Sequence, residues 1–307
     1  MTTSVAFRES PVMFPADGET LFGILTRPIA AEPDLTVVLA PGGAGTMDSI
    51  NRNRLWVTFA RTLATRGVNV FRFDSHGAGE STGAQGRLRL DRPFAADLLG
   101  AIAWLGSQGL TAYVLVGACF GARTALAAAP RMDGVRGMIL ATPFVRDVEQ
   151  GHRVATLRAI DWTPRDYLHR VLSVRTFRAL RHGKNWRVLA AVARGKVRSR
   201  RTGLEGSSAE GASGLVSPHF LDPFVVMAGR GVPSLMLFGA DDDAFQEFSQ
   251  ERSRTLGRVL DAAGPSITIV AVPGRIHGLR SLASQAEFVD ASTSWLLSTG
   301  FIHTTEG

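Results

Sequence analysis

Short runs of apolar residues alternate along the chain with segments in which apolar residues recur every three or four positions. The apolar runs are rich in Val, Ile, Leu and Phe at odd and even positions alike, and they cover residues 35–43, 68–74, 112–118, 135–143, 233–241 and 266–274. Runs of this kind are typical of parallel strands that are covered by helices on both faces. They predict six buried strands.

The segments between these runs have the spacing of amphipathic helices, and several of them end at glycine. Helices are predicted at residues 53–67, 93–109, 121–130, 244–264 and 284–300. Ahead of the first run, two alternating stretches within residues 11–28 flank the turn sequence ADGE, which predicts an antiparallel hairpin. A hairpin followed by strand–helix repeats implies an α/β fold with an open, mostly parallel sheet and helices on both sides.

This rhythm breaks between residues 144 and 231. The segment has a helical period but is rich in arginine, and it runs into a Gly/Ser/Ala stretch at 203–218 that is typical of a flexible loop. Its last part, 220–231, again has a helical pattern and is expected to return to the main body. We interpret residues 144–231 as a helical cap inserted into a core made of residues 1–143 and 232–307.

The charge of the chain is concentrated in this insertion. The whole chain carries a net charge of +7, whereas residues 146–201 hold fifteen Arg or Lys against four acidic residues, a net charge of +11 that leaves −4 for the remainder. One interpretation is a solvated basic helix, and the other is a surface that recruits an acidic partner. Nucleic acid is not expected as that partner, because the basic segment carries no nucleic-acid-binding motif.

Composition and the remaining patterns exclude several classes of protein. The single cysteine cannot form an internal disulfide, which favours a reducing, cytoplasmic location. The first residues do not have the pattern of a signal peptide, and no apolar stretch is long enough for a transmembrane segment. The sequence shows neither a cluster of metal ligands nor a dinucleotide-binding glycine loop, so we expect no metal and no cofactor.

The one cysteine has a setting that suggests chemistry. Cys119 lies in the sequence GACFG, where the predicted strand 112–118 ends and the helix 121–130 begins. Flanking glycines permit a sharp turn, and the unpaired N–H groups and dipole at a helix N-terminus favour a thiolate. The alternative is that Cys119 is a small buried hydrophobic residue, as many cysteines are.

Four motifs occur in an order that resembles a known family. These are GACFG at 117–121, PGGAG at 41–45, the acidic run after the strand 233–241, and the sequence PGRIHG at 273–278. Over residues 10–143 and 232–298 the chain resembles the α/β-hydrolase superfamily, and most closely its lidded members that are similar to serine aminopeptidases and monoacylglycerol lipase. The resemblance implies an α/β-hydrolase fold with Cys119 at the nucleophile position.

The resemblance also implies the partners of this nucleophile. In the family, nucleophile, acid and histidine follow one another along the chain, and the acid stands three residues after the glycine that closes its strand. That position is Asp242, with Asp241 as the alternative. The histidine loop of the family corresponds to the segment that contains His277.

An oxyanion hole is implied by the same comparison. One donor would be the N–H of Phe120, directly after the nucleophile, and the other the N–H of Gly43 or Ala44 in PGGAG. Pro41 stands where the family usually has a histidine, so this loop is related to the family pattern without matching it. The segment 73–81, FDSHGAGES, resembles a structural turn of the family, which makes His76 part of the scaffold.

Cysteine at the elbow departs from most of the superfamily, which has serine there. Cysteine elbows occur in dienelactone hydrolases, polyhydroxyalkanoate synthases and exosortase-associated hydrolases, and the chain resembles the last of these in its Gly-Gly oxyanion loop. We therefore expect an acyl hydrolase, an esterase or thioesterase, that works through an acyl-Cys119 intermediate. An acyltransferase with an alcohol or amine acceptor is the first alternative, and a non-catalytic binding protein of the same fold is the second.

Two basic features bear on the substrate. The basic cap suggests contact with an acyl carrier protein, with the phosphates of coenzyme A or with an anionic membrane surface. The substrate would then be a small-molecule or a carrier-bound acyl compound. The sequence NRNR at 51–54 could bind a substrate carboxylate, but a helix start with Asn51 or Asn53 as its cap explains it equally well.

Overall fold

The computed structural model describes residues 6–29, 32–42, 47–86, 88–147 and 216–302. These residues belong to one compact unit. In this part of the chain, none of the helices combines the length and the apolar character needed to cross a bilayer. Residues 148–215, which include most of the basic segment and most of the loop 203–218, lie outside the described residues, so the inserted cap and its boundaries remain a prediction.

In the described residues, eight strands form a single sheet. They are β1 (Phe7–Ala16), β2 (Glu19–Pro28), β3 (Leu35–Ala40), β4 (Asn69–Phe73), β5 (Ala112–Ala118), β6 (Val135–Ala141), β7 (Ser234–Gly239) and β8 (Ile267–Val272). Their order across the sheet is β1-β2-β4-β3-β5-β6-β7-β8. β1 and β2 are antiparallel to each other, β2 is antiparallel to β4, and all other pairs are parallel. The predicted α/β-hydrolase fold is confirmed.

Seven α-helices are described. They are α1 (Leu55–Ala64), α2 (Ala95–Ser107), α3 (Phe120–Ala128), α4 (Pro218–Gly229), α5 (Asp243–Glu251), α6 (Gly257–Ala263) and α7 (Leu282–Ser298). α4 packs against α3, so the predicted return of residues 220–231 to the body as a helix is confirmed.

Two sequence expectations need correction. The single helix predicted at 244–264 is divided by a π-helical turn, Arg252–Leu256. A Cβ on Gly257 would lie 2.5 Å from the carbonyl oxygen of Arg252, so the close approach depends on glycine at this position. β8 is only partly buried, because it is the edge strand of the sheet and lacks a neighbour on one side.

Helices cover both faces of the sheet. On one face α1 and α7 pack together, with the ring of Phe288 against Trp56 at 5.6 Å and against Phe59 at 5.4 Å. On the other face α2 packs on β1 and α3 on β5, where Phe71 stacks on Trp104 at 5.2 Å. Aromatic side chains are therefore buried on both faces of the sheet, and the sheet lies at the centre of the hydrophobic core.

The topology brings the loops that carry candidate site residues to one edge of the sheet. All parallel strands end at the same edge, and the chain order reverses between β3, which is followed by β4 on one side, and β5 on the other. Ligands of open α/β sheets bind outside the carboxyl ends of the strands at such a reversal. The loop after β3 and the elbow after β5 both lie there.

Candidate active site

Cys119 adopts a strained backbone conformation between β5 and α3. Its φ and ψ are 54° and −110°, and it directly precedes the first residue of α3. The turn is tight enough that a Cβ on Gly117 would lie 2.3 Å from the carbonyl oxygen of Gly121, and one on Gly121 would lie 2.7 Å from that of Ala40. Non-glycine residues keep such φ values mainly where the surroundings enforce them, often at functional sites.

The thiol of Cys119 faces His277. The distance from Sγ to Nε2 is 3.7 Å, although 158 positions separate the two residues in the sequence. Only 8% of Cys119 is exposed, so the residue is buried at the carboxyl-terminal edge of the sheet. A nucleophile within hydrogen-bonding reach of an imidazole is the arrangement that general-base activation of a thiol requires.

Asp242 holds the loop that carries His277. Its buried carboxylate accepts hydrogen bonds from the backbone N–H groups of Gly239 at 2.8 Å, Ile276 at 3.3 Å and His277 at 3.0 Å. Asp241 is exposed and does not share this position. Of the two carboxylates that the sequence offered, the structure brings Asp242 against the histidine loop.

The pKa of His277 reflects these neighbours. Burial is the largest influence and lowers the pKa, but the charge and hydrogen bond of Cys119 together with the charge of Asp242 raise it further than burial lowers it. The positive charge of Arg280 opposes them. The net result is a pKa above the ordinary value of 6.5, because the contributions of Cys119 and Asp242 outweigh that of burial.

The two loops that the sequence predicts to form an oxyanion hole are described only in part. Phe120 is the first residue of α3, so its N–H is one of those that have no acceptor within the helix. The loop after β3 approaches the elbow closely, since a Cβ on Gly42 would lie 2.4 Å from the amide nitrogen of Gly121. Gly43 and Ala44, the other donors suggested by the sequence, lie outside the described residues.

A buried arginine on α3, the helix that begins after Cys119, was not singled out from the sequence. Arg123 has a fully buried side chain and donates hydrogen bonds to the carbonyl oxygens of Leu90 and Phe144, to Asp147 and to Ser217. We call these five residues the Arg123 cluster. The sequence could have indicated this role, because an arginine within the mostly apolar helix GARTALAAA is expected to have buried polar partners.

The Arg123 cluster joins both ends of the segment 148–215. Asp147 precedes this segment and Ser217 follows it, and the Ser217 hydroxyl donates to Asp147 Oδ2 at 2.6 Å. The backbone N–H of Ser217 also donates to the carbonyl of Val145 at 2.8 Å. His219 Nδ1 lies 3.0 Å from Asp147 Oδ2.

Gln285 connects the other two loops at this edge. Its side-chain amide on α7 donates to the carbonyl oxygens of Arg52 at 3.1 Å and Leu279 at 2.8 Å. Leu279 has a positive φ of 46° in the loop that carries His277. Nothing in the sequence pattern distinguished this glutamine, because its role depends on two loops that meet only in the folded chain.

Two sequence interpretations were left to the structure. His76 forms a hydrogen-bonded pair with the buried Asp97, whose carboxylate lies 2.9 Å from Nδ1 and accepts from the His76 backbone N–H at 3.0 Å. This arrangement agrees with the scaffold role inferred for His76. In the sequence NRNR, Asn51 caps the short 3₁₀-helix Arg52–Arg54, which supports the helix-start interpretation.

Comparisons with known proteins agree with this fold. The family model described as "Serine aminopeptidase, S33" matches residues 31–184, half of the chain. A search of curated proteins gave no significant match.

Solved structures with similar folds span nearly the whole chain. An esterase from Pyrococcus furiosus is similar over 96% of this chain and 93% of its own, with a TM-score of 0.59 and 14% identity. A proline iminopeptidase from Mycobacterium smegmatis is similar over 95% and 99%, with a TM-score of 0.55 and 18% identity. A serine hydrolase without a lid from Xanthomonas campestris is similar over 97% of both chains, with a TM-score of 0.52 and 14% identity. At such identities the likeness shows a common fold.

Proposed function

Because this chain belongs to the serine aminopeptidase S33 family of α/β-hydrolases, we propose that it is an acyl hydrolase that cleaves ester or thioester bonds with Cys119 as its nucleophile. The observation that carries the proposal is the 3.7 Å distance between Cys119 Sγ and His277 Nε2. The family description is that of a serine aminopeptidase, and this chain has cysteine at the elbow between β5 and α3. The proposed chemistry is therefore the cysteine version of the same reaction.

In the acylation step, His277 takes the proton of the Cys119 thiol and the thiolate attacks the acyl carbonyl carbon. The N–H groups of Phe120 and Gly43 would hold the tetrahedral oxyanion. The intermediate collapses to acyl-Cys119, and the leaving alcohol or thiol receives the proton from the His277 imidazolium. The Asp242 carboxylate stabilises that imidazolium through its charge and fixes the loop through the His277 backbone N–H.

Deacylation repeats the sequence with a second acceptor. His277 takes a proton from water and the hydroxide oxygen attacks the acyl carbonyl carbon. The carbon–sulfur bond then breaks to release the acid, and the His277 imidazolium returns its proton to the Cys119 sulfur. An alcohol or amine in place of water would give an ester or amide, which is the acyltransferase alternative. A thiol exchanges with a thioester at nearly equal free energy, which favours a thioester donor over an oxygen ester.

Contact with an acyl carrier protein, with coenzyme A or with an anionic membrane through the basic cap remains a prediction from the sequence. The residues that would make the contact lie outside the described part of the chain. A cytoplasmic location likewise remains a prediction.

The proposal is tested by intact-protein mass spectrometry. Wild-type protein, Cys119→Ala, Cys119→Ser and His277→Ala are incubated with acyl p-nitrophenyl esters and acyl thioesters of several chain lengths. We expect a mass increase equal to the acyl group, mapped to Cys119, that is absent in Cys119→Ala and decays in water. An adduct that persists until an alcohol or amine is added would indicate the acyltransferase.

Two outcomes would contradict the proposal. Acyl turnover that survives in Cys119→Ala would exclude Cys119 as the nucleophile. Absence of both adduct and turnover across the whole panel, in protein whose Cys119 still reacts with iodoacetamide, would favour the non-catalytic binding protein.

A further inference from the structure

An aromatic ring packs against the imidazole of His277 from the strand next to the elbow. Phe144 follows β6, and its ring centroid lies 5.1 Å from that of His277 at an interplanar angle of 57°. Only 9% of Phe144 is exposed, so the ring has a fixed place between the histidine loop and the body. Thr142, two residues earlier, has a positive φ of 45°, and this turn directs the chain after β6 toward the site.

The backbone of Phe144 is fixed by the nucleophile helix. Arg123 Nη1 donates to the Phe144 carbonyl oxygen at 2.9 Å. The guanidinium is completely buried and is held in turn by Asp147 at 2.6 Å and by the Leu90 carbonyl oxygen at 2.8 Å. Arg123 lies one helical turn after Cys119, whose carbonyl oxygen accepts from the Arg123 backbone N–H at 3.3 Å. One rigid helix therefore carries the nucleophile and the anchor of the ring that packs on its histidine.

We propose that Phe144 is a positioning residue that keeps the imidazole of His277 turned toward Cys119, and that Arg123 acts through Phe144. The inference rests on the proposed function of the Cys119–His277 pair. A histidine ring rotates about its last side-chain torsion, which has a broad energy profile, so contacts with neighbours decide its orientation. Rotation away from the present orientation would separate Nε2 from Sγ.

Among the described residues, the other groups that face His277 act on it in a different way. Cys119 and Asp242 act on it through charge and hydrogen bonding, and Arg280 acts through an opposing charge. The hydrogen bond from His277 to Asp242 uses the backbone N–H, so it fixes the main chain and does not orient the ring. In the described part of the chain, the ring of Phe144 is an aromatic side chain that packs directly against that imidazole.

The test uses the reactivity of Cys119 and needs no acyl substrate. The rate of Cys119 alkylation by iodoacetamide is measured from pH 5 to pH 10 for wild type, Phe144→Leu, Arg123→Met, the double variant and the control Phe71→Leu. Alkylation by iodoacetamide requires the thiolate, which displaces iodide to form a thioether, so the rate at neutral pH reports how well His277 stabilises that thiolate.

We expect Phe144→Leu to slow alkylation at neutral pH by about 2- to 10-fold, the range that one aromatic contact is worth. Arg123→Met should change the rate in the same direction, and the double variant should react no more slowly than the slower single variant. Phe71 is buried among Phe14, Phe73 and Trp104, so Phe71→Leu should lower thermal stability and leave the alkylation profile unchanged. Arg123→Lys, which keeps the charge, serves if Arg123→Met does not fold.

Each result bears on the proposal. An alkylation profile of Phe144→Leu equal to that of wild type would overturn it. Effects of Phe144→Leu and Arg123→Met that multiply in the double variant would overturn the action of Arg123 through Phe144. Changed alkylation without acyl turnover in the wild type would leave the positioning role intact and refute the hydrolase, whereas turnover with an unchanged Phe144→Leu profile would do the opposite.

Discussion

Gly42 and Gly121 approach each other so closely that a Cβ on Gly42 would lie 2.4 Å from the Gly121 amide nitrogen. The two residues belong to the loop after β3 and to the elbow after β5, which are the loops on either side of the point where the strand order reverses. Gly42 also has a φ of 130°, a conformation that other residues rarely adopt. Two glycines thus bring the proposed oxyanion loop against the elbow that carries Cys119.

Gly121→Ala is expected to reduce both stability and reactivity. The added Cβ would lie 2.7 Å from the Ala40 carbonyl oxygen and 2.9 Å from that of Pro41, so backbone must move. Overpacking of this kind costs about 1–3 kcal/mol. Urea denaturation measures the free energy of unfolding, and acyl transfer to Cys119 measures the effect on the site.

Gly229→Ala is the matched control. Gly229 ends α4, and nothing lies within 4 Å of the position its Cβ would take. This substitution should leave stability unchanged or raise it by about 0.4–1 kcal/mol, because alanine has less freedom in the unfolded chain. Equal stability of Gly121→Ala and Gly229→Ala would contradict the close packing of the elbow.

Removal of each neighbour of His277 should shift the pKa of this histidine in a predicted direction. Its pKa should lie above 6.5, and it should fall in Cys119→Ala and in Asp242→Asn, because each removes a group that raises it. It should rise in Arg280→Gln, because the charge that lowers it is lost. Proton–carbon NMR of the seven histidines measures these values, and the other six signals serve as internal controls.

The same shift makes stability depend on pH. A histidine whose pKa is raised in the folded state stabilises the fold fully below its unfolded value of about 6.5, and this contribution is lost as the pH rises through the folded value. The difference in unfolding free energy between wild type and His277→Gln should therefore shrink with rising pH. A difference that grows over that interval would show that the pKa is lowered.

Gln285→Met tests the connection between the loop after β3 and the histidine loop. The substitution keeps the length of the side chain but removes the amide donor of the Arg52 and Leu279 carbonyl oxygens. The bond to Leu279 is buried, and leaving a buried acceptor without its donor costs about 1–3 kcal/mol. We expect lower stability and slower acylation of Cys119. Gln246→Met, on the exposed face of α5, should change stability by less than about 0.5 kcal/mol.

His76 and His277 should respond differently to the same substitution. His277→Asn removes the proposed general base and should lower kcat/KM for acyl hydrolysis by about 10²- to 10⁴-fold. His76→Asn keeps an amide donor for Asp97 and should leave kcat/KM near that of wild type. Comparable losses in both variants would show that the His76–Asp97 pair takes part in the reaction.

The sheet was predictable because its strands are apolar at consecutive positions. β5 and β6 are buried on both faces, and their boundaries follow directly from their sequences. β8 has the same kind of sequence, yet it is partly exposed, because the sequence of a strand does not record whether a neighbour lies on each side. The π-helical turn before Gly257 was not predictable from periodicity, since the residues on both sides are helical.

The candidate site was predictable where a residue lies in a local motif. Cys119, Asp242 and His277 each follow a strand, and parallel strands end at one edge. Phe144 and Gln285 were not found, because their roles come from contacts with residues far away in the sequence: His277 for the first, and Arg52 for the second. Local motifs cannot predict contacts between residues that lie far apart in the sequence.

Asp147 and Val216 flank residues 148–215, and the bonds from Ser217 to Val145 and Asp147 make these two points neighbours. A segment inserted between adjacent points can change its length or be exchanged for another without shifting any strand of the sheet. Members of one lineage can thus carry inserts of different length at this point and still inherit the same eight-stranded sheet and the same turn at Cys119.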